Sequence, residues 1–76
     1  MSKDEIKNVI NQYLSQAGCT QFLFEEPDEN TIIVLFNSKE IISFNSPLQN
    51  WVSTGIQLDD SKKRQYKIEF KKTANS

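Results

Sequence analysis

Thr31 to Phe36 is a run of six uncharged residues, mostly β-branched or aromatic, and that pattern predicts the middle strand of a small sheet. Successive side chains of a strand point to opposite faces, so Ile32, Val34 and Phe36 lie on one side and Ile33 and Leu35 on the other. Both faces of such a strand require cover. Upstream, Ile6, Val9, Ile10, Tyr13, Leu14 and Ala17 recur at spacings of three and four, which predicts an amphipathic helix over about 3–17. Ser2-Lys3-Asp4-Glu5 reads as a capping box at its start, and Gly18 supplies the left-handed residue that ends it. The apolar stripe of this helix is expected to lie on one face of the sheet.

Between helix and central strand, Thr20 to Glu25 alternates, with Phe22 and Phe24 on one face, and Glu26-Pro27-Asp28-Glu29-Asn30 reads as a turn. The acidic residues Glu25, Glu26, Asp28 and Glu29 lack the alternating donors and central glycine of a calcium loop, so they read as a solvated turn. After a second turn at Asn37-Ser38-Lys39-Glu40, Ile41 to Asn45 is expected to be a third strand with Ile42 and Phe44 inward. Ser46-Pro47-Leu48-Gln49 offers a helix start, while Trp51, Val52, Thr54 and Ile56 suit a strand. The reading adopted is a turn or short helix at about 47–51 and a strand at about 52–58. Asp59 to Lys63 is a polar loop, and Arg64 to Lys71 alternates with Tyr66, Ile68 and Phe70 on one face. The wet lysines of this last strand place it toward the sheet's edge.

The expected architecture is α+β: an N-terminal helix packed on one face of a four- to five-stranded antiparallel meander. One domain spans 1–71, and 72–76 is a disordered tail. Phe22, Phe24, Val34, Phe44, Ile68 and Phe70 are expected beneath the helix. The opposite face then presents Leu23, Ile33, Leu35, Ile41 and Trp51, a patch larger than the few hundred Å² that soluble monomers usually leave bare. The 46–58 segment, a second copy forming a homodimer through the sheet, or a different protein would each cover it. In its element order the chain resembles small secretion chaperones, which dimerise and bind extended protein segments.

Composition narrows the chemistry further. The 76 residues include no histidine and one cysteine, Cys19, which removes the commonest general acid/base and any structural zinc site built from cysteine and histidine. A lone cysteine forms no internal disulfide and suits a reducing compartment. The N-terminus carries no apolar signal region, and no apolar run approaches the roughly 20 residues of a membrane span. A cytoplasmic protein without cofactor, metal or membrane association is expected. The net charge of −1 divides into −4 over residues 1–58 and +3 over residues 59–76, an acidic body with a basic end.

The leading expectation is a small non-enzymatic protein-binding module, a regulator, inhibitor or chaperone-like adaptor, using Leu23, Ile33, Leu35, Ile41 and Trp51. The alternative is a nucleic-acid-binding protein using Lys62, Lys63, Arg64, Lys67 and Lys71 of the C-terminal hairpin. The parity of Tyr66 with Ile68 and Phe70 argues against a base-stacking role for it, and a sequence pI of about 5.3 argues against a polyanion partner. An enzyme would have to work with Asp59, Asp60 or an unassisted Cys19, and these read more simply as turn formers and an incidental thiol.

Overall fold

The computed structural model describes residues 3–39, 48 and 50–73 of the chain. Lys3–Gln16 is a helix, α1, which buries Ile6, Ile10 and Leu14 and leaves Tyr13 toward solvent, and Ala17, just past its end, is exposed. Residues four apart stack on one line of a helix, so these three form the contact ridge. Gly18 has φ +93°. Its amide donates to the Ser15 carbonyl at 3.1 Å, and the Cys19 amide reaches back to the Leu14 carbonyl at 3.0 Å. This is a Schellman termination, and Cys19 and Leu14 share the core as its accompanying apolar pair. Ser2, the expected N-cap, lies outside the described residues.

Among the described residues five strands follow: Thr20–Asp28 (β1), Thr31–Asn37 (β2), Trp51–Ser53 (β3), Gln57–Leu58 (β4) and Tyr66–Lys72 (β5). All pairings are antiparallel, in the order β1-β2-β5-β3, with β4 paired to the other half of β5. The register aligns Phe24 with Val34 and Val34 with Ile68, and on the next rung Ile32 with Phe70. These side chains meet Ile6, Ile10 and Leu14 of α1 in one core with Cys19, Phe36 and Trp51. Phe22, Phe24, Leu48, Ile56 and Tyr66 pack around it, half-buried. Each fully buried side chain of this kind stabilises the fold by about 1.5–3 kcal/mol before entropy is charged.

Two irregularities interrupt β1, and the first sets its aromatic residues on the core side. Thr20 pairs with Asn37 and Leu23 with Leu35, so Gln21, at φ +60°, is an extra residue. Glu25 pairs with Ile33 and Asp28 with Thr31, so a second extra residue falls at Glu26 and Pro27. Proline is tolerated there because a bulge needs no ladder donor from it. The expected turn at 26–30 is therefore shorter, since β1 continues to Asp28 and the Asn30 amide closes the corner on Asp28 Oδ1 at 2.8 Å. A further extra residue separates β3 from β4. There the Thr54 amide donates to the Glu69 carbonyl at 2.9 Å, and Thr54 Oγ1 accepts the Glu69 amide at 3.1 Å, so a side chain takes over one rung of the ladder.

Several expectations change. The last strand lies inside the sheet, between β2 and β3, not at an edge. Its lysines mark one wet face, and a wet face says nothing about which strands lie alongside. The expected 52–58 strand is present as β3 and β4, but it begins one residue earlier and is broken by the bulge. Lys72, assigned to the tail, is the last residue of β5, and the Thr73 amide donates to the Asn50 carbonyl at 2.9 Å. The third strand expected at 41–45, with Ile41, Ile42 and Phe44, and the helix start at 46, 47 and 49 lie outside the described residues. β2 has β1 and β5 as its two neighbours.

Candidate protein-binding face

The sheet face turned away from α1 is built by the residues that alternate with the core set. Its rungs are Leu23, Leu35, Lys67 and Gln57; then Glu25, Ile33 and Glu69; then Thr31, Lys71 and Val52. Leu23, Leu35 and Ile33 lie together on β1 and β2, and the charged column Lys67, Glu69 and Lys71 of β5 runs between them and Val52 on β3. Leu23 and Ile33 are half-buried, and Val52 is 58% exposed. Leu35 is only 2% exposed, so the expectation that it presents an open apolar surface is corrected. Trp51 is a second correction. It lies at 7% exposure in the core beside α1, because β3 begins at Trp51 and pairs it with Lys72 on the helix side. Ile41 lies outside the described residues.

Val52 is the residue that sequence reading missed. Once Trp51 belongs to the strand, Val52 must point the other way, but Trp51-Val52-Ser53-Thr54 carries no alternation to reveal this. Leu58 is also exposed, at 71%. It belongs to the Tyr66 rung and therefore not to this face.

The 59–65 segment supplies a charged border. Asp59 Oδ1 accepts the Ser61 hydroxyl at 2.6 Å and the Ser61 amide at 3.0 Å, while Oδ2 accepts the Arg64 amide at 2.8 Å. These bonds, the Ser61 hydroxyl first among them, hold the Asp59 carboxyl below its ordinary pKa. Asn37 Oδ1 accepts the Gln65 amide at 2.9 Å, and Gln65 Oε1 accepts the Ser38 amide at 3.2 Å, which fastens the loop to the end of β2. Arg64 Nε then donates to the Gln21 carbonyl, and Lys63 Nζ pairs with Glu25 at 3.0 Å. Because β2 separates β5 from β1, both contacts span β2. The Lys63–Glu25 pair is half-exposed and contributes about 0–1 kcal/mol.

Of the basic residues, Lys67 and Lys71 share the outer face, and acidic side chains are interleaved with them. Lys63 pairs with Glu25, and Lys71 approaches Glu69 at 3.8 Å. Arg64 spends its guanidinium on the Gln21 and Lys63 carbonyls. Lys67 is half-buried on the Leu35 rung, and Lys62 is exposed at φ +63°. Tyr66 faces the core side, with its ring 5.9 Å from that of Phe36 at 36°.

Three further titratable groups have partners within the fold. Burial pushes the Cys19 thiol pKa up, partly offset by a hydrogen bond with the Ser38 side chain. Glu26 bridges two helix residues, Lys7 at 2.6 Å and Lys3 at 3.4 Å. Asp28 bonds the Thr31 side chain and the Asn30 amide. Among the described residues no group of three or more cysteine, aspartate or glutamate side chains is placed to hold a metal ion, and no helix is long and apolar enough to cross a membrane. No protein-family model, curated protein or solved structure matches the chain.

Proposed function

We propose that the chain is a small non-enzymatic protein-binding module, a regulator, inhibitor or chaperone-like adaptor, whose partner seats on the sheet face turned away from α1. The observation that supports this reading is Val52, a valine 58% exposed on that face, on the rung next to half-buried Ile33. Apolar side chains bordered by charged ones are a common pattern in protein interfaces, and here the β5 charges run between Ile33 and Val52. Here the border alternates in sign, Lys63 with Glu25 and Lys71 with Glu69. Such a border orients a partner that carries charges of both signs, a second copy of the chain included, better than it attracts a polyanion.

The test is affinity capture from lysate of the source cells, with and without nuclease, using the wild type, Val52→Glu and Leu23→Gln. Light scattering on the purified chain reports whether a second copy is the partner. A defined protein, or self-association, that survives nuclease and is lost in both variants with unchanged circular dichroism is the expected result. Equal retention by wild type and variants, or recovery that vanishes with nuclease, overturns the proposal.

A further inference from the structure

We draw no further inference here: the strongest candidate, the shallow groove of about 400 Å³ along the polar side of α1 lined by Asn8, Asn11, Gln12, Ser15 and Gln16, carries nothing because all five side chains are exposed to water and nothing in the structure shows what covers them.

Discussion

Trp51 and Val52 are neighbours in sequence on opposite sides of the sheet, the tryptophan 7% exposed in the core and the valine 58% exposed on the outer face. Their substitutions should therefore separate folding from binding. Trp51→Ala removes a large core side chain and is expected to cost about 3–5 kcal/mol. A domain of this length has a total stability of roughly 4–11 kcal/mol, so this variant should be partly unfolded at 37 °C. Val52→Glu should stay within about 0.5 kcal/mol of wild type in urea denaturation. Equal stability of the two variants would remove Trp51 from the core.

Gly18 and Gly55 should respond differently to alanine. A Cβ on either would meet no atom within 4 Å, so crowding does not distinguish them. Backbone conformation does. Gly18 sits at φ +93°, where an L side chain costs about 1–2 kcal/mol, so Gly18→Ala should lower the melting temperature by roughly 4–16 °C. Gly18→Asn should recover part of that loss, because asparagine tolerates the left-handed region. Gly55→Ala should be neutral or slightly stabilising.

Acid should unfold the protein through three carboxylates. Glu26 is held below its ordinary pKa of 4.5 first by the Lys7 hydrogen bond. Asp28 and Asp59 are held below 3.8 first by the side chains of Thr31 and Ser61. A depressed folded-state value means that the unfolded chain takes up protons more readily. The stabilisation is thus complete above the unfolded values and is lost as pH falls through the folded ones. Melting temperatures should be flat from pH 7 to about 5.5 and fall below about 4.5.

The two kinds of support should then part under salt. At 1 M salt the screening length is about 3 Å, which weakens the Lys7–Glu26 contribution and leaves the hydrogen bonds at Asp59 in place. Asp59→Asn turns an amide donor toward the amides of Ser61 or Arg64. That variant should be destabilised at pH 7 in low and high salt alike, whereas the loss in Lys7→Ala should shrink with salt. A salt-sensitive Asp59→Asn would contradict the hydrogen-bond account of the loop.

Cys19 should behave as a core residue. The residue is 3% exposed and its thiol pKa is raised by burial, so the reactive thiolate is scarce at neutral pH. Labelling by a chromogenic disulfide reagent at pH 7.5 should be slow in buffer and should accelerate along the urea unfolding curve. Stoichiometric labelling within seconds, with the native circular dichroism spectrum intact, would show the thiol to be accessible.

The parts of the fold that sequence conveyed are those with a local cause. The period of Ile6, Ile10 and Leu14 and the demand for a left-handed residue at Gly18 act within one turn of chain, and the C-terminal end of α1 falls within a residue of expectation. Parity likewise placed Phe22, Phe24, Ile68 and Phe70 on the helix side, even across the bulge at Gln21. Lateral order is a different kind of information. Tyr66 to Lys72 shows which side of each residue is wet, but its pairing with Thr31 to Phe36 is set by hydrogen bonds between segments some 35 residues apart, which no side-chain period encodes. The outer face suffered for the same reason. Ile33 and Leu35 read as equivalent, yet one is half-buried and the other nearly sealed, and Trp51, expected on the outer face, fell in the core and left Val52 outside when the strand began one residue early.

Among the described residues β1 is paired on one side only. Extra residues interrupt it at Gln21 and again at Glu26 and Pro27, so three consecutive pairs, Leu23 to Glu25, form its regular stretch. A foreign strand laid along that outer edge finds a foothold for one or two hydrogen-bonded pairs before the backbone kinks away, and at Pro27 it finds no donor at all. Fibril growth by strand addition needs a flat template six or seven residues long. Among the described residues this side offers at most half of that, so the outer edge of β1 is a poor template for self-propagating stacks.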